Sequence, residues 1–189
     1  MEFFAEYKSI FIILHAIAAA VGLGATTVTD ALFFDFLTDF TISEKEQSVM
    51  KILSRVLWIA LGIMIITGVC LFLSDPTRYA VSSKFLTKMI IVGIIVVNGF
   101  LLNIFLHPRL LRVTFEEMHP DRFITHIAFA SGAVSLISWY TVFILGSIRS
   151  IPISVGGAII IYAVLIAGGV TFSQIMCKGY IRSHRRFLK

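Results

Sequence analysis

Five stretches of this chain run without a charged side chain: 9–29, 56–74, 89–108, 123–148 and 150–177. A helix needs about 20 apolar residues to cross the hydrocarbon core of a bilayer, so each stretch is long enough to span. Lipid offers the backbone no hydrogen-bond partner, and a spanning segment without alternating polarity must therefore be helical. Composition agrees. The chain is 58% hydrophobic and 14% charged, against about 45–50% and about 25% in a soluble domain. That balance excludes a soluble enzyme, a disordered protein and a nucleic-acid-binding domain. The sequence predicts an all-α polytopic membrane protein: one transmembrane domain over 1–189, with spans near 9–29, 56–74, 88–107, 124–147 and 152–176. The expected arrangement is an antiparallel four-helix bundle with the fifth helix at its side. The first stretch, rich in Gly and Thr and lacking a small-residue cleavage site, reads as a mature helix and not as a signal peptide.

Basic residues set the expected orientation. Five of the sixteen Lys and Arg share a side with the N-terminus: Lys8, Arg78, Lys84, Lys88 and Arg149. The other eleven lie on the opposite side. Positive charge stays cytoplasmic, which predicts N-terminus out and C-terminus in, in a bacterial inner membrane. The net charge of +5 is thereby a matter of topology and not of nucleic-acid binding, and the basic tail from Lys178 onward suits anionic headgroups. Residues 31–37 read as a continuation of the first helix. Ser43 and Glu46 fit a capping box that starts the second helix in water, and Asp75-Pro76 ends it.

An ionisable residue at membrane depth is a functional hypothesis by default. His15 is the clearest, roughly 9 Å inside the first span at 1.5 Å per residue. Ala18, Gly22, Thr26 and Thr29 continue its face as a stripe of small and hydroxyl side chains. Such a stripe admits either a neighbouring helix or a flat ligand. A haem needs this pattern: an imidazole pointing into a bundle beside residues too small to clash with a macrocycle. The other reading makes His15 a packing residue that donates a hydrogen bond across a helix contact. Lys88 opens the third helix at the same outer side. It either snorkels to headgroups or bends inward to ligate a metal or pair with a propionate. Asn98 lies deeper on that helix and reads as a cofactor contact or as an interhelical hydrogen bond.

A second group sits at the inner rim. His107 and His126 lie at similar depth on adjacent helices, with Asn103 one turn before His107, and His119, Glu116, Glu117 and Asp121 fall in the connecting loop. They suggest a weaker metal site or a second haem site, without a recognised zinc spacing. His184 belongs to the basic tail. Ser131, Ser135 and Ser138 form a stripe on the fourth helix. Trp139 and Tyr140 are expected at its outer rim, where interfacial aromatics belong. Gly156, Gly157, Gly168 and Gly169 predict a close-packing fifth helix. Cys70 and Cys177 belong to opposite membrane faces and cannot pair within one chain. No buried carboxylate pair, phosphate loop or Ser-His-Asp set is present. Asp30, the acid nearest a span, sits at the inner end of the first helix and away from the bilayer centre.

The segment from Leu14 through His15 to Thr26 resembles the opening helix of a loose group of bacterial membrane proteins. That group includes the copper-resistance CopD-like proteins and the HemJ-type protoporphyrinogen oxidases. Phe85-Leu86-Thr87-Lys88-Met89-Ile90-Ile91-Val92 is similar to their later helix, which opens with a lysine. In the HemJ type the resemblance implies haem b in a helical bundle, with the first-helix histidine, here His15, as ligand and the lysine falling on Lys88. The first expectation is therefore a haem b protein whose iron is held by His15. Ala18, Gly22, Thr26, Lys88 and Asn98 would line its cofactor site. Its roles would be electron transfer, a small oxidoreductase or a haem-based sensor, with a quinone as electron partner, the lipid bilayer around it and a homo-oligomer as assembly. The second is a non-enzymatic small transporter or assembly protein in which His15 packs.

Overall fold

The computed structural model describes residues 2–36, 44–106, 122–148 and 152–187. Among these residues all regular structure is helical. Helix α1 (Glu2–Glu6) leads into α2 (Lys8–Phe36), followed by α3 (Glu44–Ser74), α4 (Pro76–Ala80), α5 (Ser83–Leu101), α6 (Arg122–Ser147) and α7 (Val155–Phe187). A π-helical turn, Leu102–Leu106, continues α5. Five of these elements carry a stretch long and apolar enough to cross a membrane: Lys8–Phe33, Lys45–Ser74, Ser83–Ile104, Phe123–Ser147 and Val155–Arg182.

The spans run past the charge-free windows at most ends because a helix does not stop where hydrocarbon stops. Once the apolar segment is helical, flanking polar residues extend it cheaply, since propagation adds a hydrogen bond per residue. Thus α2 continues through residues 31–36, and α3 is helical from Glu44, well before its apolar stretch. The expected cap Ser43 lies outside the described residues. Asp75 ends α3 and caps α4, its side chain accepting from the Arg78 N–H, with Pro76 at the first helical position. Proline is suited there because it lacks only a donor that would be unpaired anyway.

Helix α2 packs along α3 and against α6, while α6 also meets α5 and α7, and α5 touches α7. The core gathers Ala18, Leu61, Met64, Ile91, Ile95, Trp139, Val142 and Tyr162. Trp139 corrects the sequence reading. It is 3% exposed and covers Gly22, where an added methyl would stand 2.3 Å from the indole. It is an interior residue of the bundle, not a rim anchor. Helix α7 needs a second correction. Only Gly169 is closely packed, against Ile137, whereas Gly156 and Gly168 face open space. Its outward face, with Ile160, Val164, Phe172 and Ile175 exposed, is what a helix at the lipid boundary presents. Cys70 and Cys177 are both free.

Candidate functional site

On the C-terminal half of α2, Thr26, Thr29, Asp30 and Phe33 recur at helical spacing and line one wall of a cavity of about 180 Å³. Ser54 and Trp58 of α3, Gly99 and Asn103 of α5 and its π turn, and Ser135 and Trp139 of α6 supply the other walls. The three threonines on α2 have two fates. Thr27 donates to the Leu23 carbonyl at 2.8 Å, and Thr29 to that of Ala25 at 2.7 Å. These back-bonds are the ordinary resting place of a hydroxyl in a helix. Thr26 makes none. It is 2% exposed, and its Oγ1 has no hydrogen-bond partner.

Asp30 follows one turn later. Its Oδ2 is likewise buried and unpartnered, and among the described residues no other titratable side chain lines the cavity. Glycine at 132 leaves the carboxylate its space: a methyl there would lie 3.3 Å from Oδ1. A buried charge is costly unless it is paired, and an unpaired buried polar atom is uncommon enough to need a reason. Here two such atoms lie one turn apart on the same wall. The π turn contributes to that wall. The Leu102 N–H donates to both the Asn98 and Gly99 carbonyls, and the shifted register continues the cavity lining through Leu102 and Asn103. Single π turns inside helices recur at functional sites. Across the cavity α3 and α5 meet through aromatic rings, Trp58 lying 4.9 Å from Phe100.

A separate polar group occupies the opposite half of the bundle, beside the N-terminal half of α2. The Thr67 hydroxyl donates to the Ile63 carbonyl at 2.7 Å, so the same oxygen is free to accept from His15 Nδ1, 3.0 Å away. A neutral imidazole that donates from Nδ1 has its one lone pair on Nε2. Gly68 backs the ring, a methyl there lying 3.5 Å from its Cε1. Lys88 lies at the start of α5, its Nζ 3.7 Å from where a methyl at Gly146 would stand. The fold therefore keeps His15 and Lys88 at one end of the bundle. It does not extend them into a slot for a macrocycle. Ala18 is packed in the core, Gly22 is covered by Trp139, and Thr26 belongs to the inner cavity. As packed, this stripe does not fit a porphyrin. Asn98 is committed elsewhere, its amide donating to the Ser131 carbonyl at 2.9 Å in the buried α5–α6 contact.

Near the start of α6, His126 is paired with α7. Its Nδ1 meets Gln174 Oε1, while Gln174 Nε2 donates to the His126 carbonyl at 2.9 Å. Ser173 donates to the Phe129 carbonyl one turn further along, at 2.6 Å. His107, His119, Glu116, Glu117 and Asp121 lie outside the described residues, as does the side chain of His184. Among the described residues no group of three or more His, Cys, Asp or Glu is placed to hold a metal ion. The serine stripe divides. Ser138 bonds the Tyr162 hydroxyl at 2.8 Å, Ser131 offers its carbonyl to Asn98, and Ser135 faces the cavity.

Sequence reasoning passed over Asp30 because it lies near a helix end. The signal that would have found it is its spacing from Thr26 and Thr29, which puts acid and hydroxyls on one face. Against family models, curated proteins and solved structures, the chain finds no match.

Proposed function

We propose that this chain is a non-enzymatic membrane protein of the transporter class, which binds a small polar ligand in the cavity between α2, α3, α5 and α6. One observation carries the reading: a carboxylate and a hydroxyl, Asp30 Oδ2 and Thr26 Oγ1, are buried without partners on the wall of an intramembrane cavity. Ionisable groups at such depth face interiors or cavities and mark ligand or ion paths. Transporters also place irregular helix turns where they line a cavity, as the π turn after α5 does here. The excess of basic residues on the side opposite the N-terminus supports N-out, C-in insertion in a bacterial inner membrane, with the cavity in the cytoplasmic half. Helices α2, α3, α5 and α6 would form the working bundle and α7 would flank it.

The test is thermal stability of the purified full chain across a chemically varied panel of small molecules. A compound bound only by the folded state raises its stability by mass action. Some should stabilise the wild type and not Ser135→Leu, whose side chain fills the cavity. A panel that acts equally on both overturns the reading.

The second reading is a haem b held by His15 in electron transfer. It draws on the resemblance of the first and third spans to HemJ-type proteins, and one observation favours it: the Thr67 hydroxyl, already donating to Ile63, engages His15 Nδ1, and a ring donating from Nδ1 would have Nε2 to offer an iron. It requires Trp139 to leave Gly22. A Soret band in protein expressed with ample haem, lost in His15→Ala, would establish it. A colourless protein would end it.

A further inference from the structure

The cavity also restricts what can occupy it. Resting on the cavity reading above, we propose that its ligand is a small, freely diffusing organic monocation, with Asp30 as its counter-ion. Three observations converge. Among the described residues that line it, the cavity holds one acidic group and no basic one, so a neutral or anionic occupant would leave the carboxylate uncompensated. Thr26, one turn away, keeps both its proton and its lone pairs uncommitted, and suits an ammonium N–H or a hydroxyl beside the cationic centre. Aromatic and apolar surface makes up much of the remainder, with Phe33, Trp58 and Trp139 among the lining residues. A hard metal ion asks for about six or more oxygen ligands at once. An alkylammonium asks for one counter-charge and aromatic faces, the arrangement by which quaternary amines are recognised. The volume of about 180 Å³ limits the guest to a few heavy atoms.

The chain has two tryptophans, and both line the cavity, so intrinsic fluorescence reads this site directly. The full chain, delipidated in a maltoside detergent, is titrated with tetramethylammonium chloride and with methylammonium chloride. Tert-butanol serves as the neutral isostere and sodium chloride as the ionic control. The expected result is a saturable change in tryptophan emission with at least one organic cation, and none with tert-butanol or sodium. Asp30→Asn, close in shape and checked for fold by circular dichroism, should weaken binding by roughly tenfold or more. Gly132→Ala keeps the charge but crowds the carboxylate, and should weaken binding several-fold; it decides the matter if Asp30→Asn does not fold.

Saturation by tert-butanol with the same midpoint overturns the charge assignment while leaving a cavity-binding protein. Saturation by sodium alone replaces the organic cation with a metal ion and overturns it too. So does a response only to added phosphatidylcholine or phosphatidylethanolamine, which would make the guest a lipid headgroup. No saturable response to either cation, or equal binding by Asp30→Asn, overturns the proposal outright; the stability panel with Ser135→Leu then judges the cavity reading separately.

Discussion

At the scale of single residues, the chain keeps a costly group where a cheaper one would fit. Asn at position 30 has nearly the shape of Asp and no charge, so Asp30→Asn should raise the thermal stability of the empty protein. The gain should be about 1–3 kcal/mol, the cost of an unsatisfied buried polar group, measured by reversible unfolding in mixed micelles. A stability loss would mean that the carboxylate has a partner in the folded state. Glycines separate in the same way. A methyl at Gly22 meets Trp139 at 2.3 Å, whereas one at Gly24 meets nothing within 4 Å. Gly22→Ala should therefore cost about 1–3 kcal/mol by overpacking. Gly24→Ala should be neutral or stabilising by up to about 1 kcal/mol, because alanine loses less backbone entropy in a helix. The two glycines stand two residues apart on opposite faces of α2, and only the face that carries Gly22 meets a neighbouring side chain.

At the scale of elements, polar side chains join helices at few, specific points. Helix α6 holds α7 through the reciprocal His126–Gln174 pair and the Ser173 bond to Phe129, and near its other end through Ser138 and Tyr162. In lipid, neighbouring tails are as apolar as leucine, so such bonds and close packing carry helix association. A double-mutant cycle with His126→Ala and Gln174→Ala should give a coupling of about 0.6–1.7 kcal/mol, the range seen for interhelical hydrogen bonds. Coupling near zero would mean that this pair does not hold α7. Helix α5 ends differently: Asn98 is tied to α6, and the π turn begins at Leu102. The register change thus starts one turn beyond an anchored residue, which lets the cavity wall differ from the packed helix above it.

At the scale of the whole molecule, loop charge predicts an orientation that is open to direct measurement. In a cysteine-free background, Lys8→Cys should react with a membrane-impermeant maleimide on intact spheroplasts, and Lys51→Cys only after lysis. The reverse pattern would invert the topology and move the Asp30 cavity to the outer half. The two polar centres also separate at this scale. His15 with Lys88 and Asp30 with Thr26 lie on opposite halves of the bundle, with Trp139 seated on Gly22 between them.

The spans were legible in the sequence because transfer into lipid is close to a sum over consecutive residues, so charge-free length is enough to locate them. The break at Asp75-Pro76 was legible for a similar reason, since a cap and a proline act within one turn. Contacts between helices do not work that way. They depend on how each helix is rotated and which neighbour it meets, and in a bundle this apolar every face looks eligible. His15 stood out in the sequence because it is rare, and Asp30 was passed over because it lies near a helix end. Trp139 reversed their standing: by filling the space beside Gly22 it closes the outer stripe, and with Trp58 it walls the inner cavity around Asp30. The sequence by itself determined how many helices can cross and roughly where. Only the tertiary structure decided which of their few polar groups are satisfied by neighbours and which are left open for a ligand.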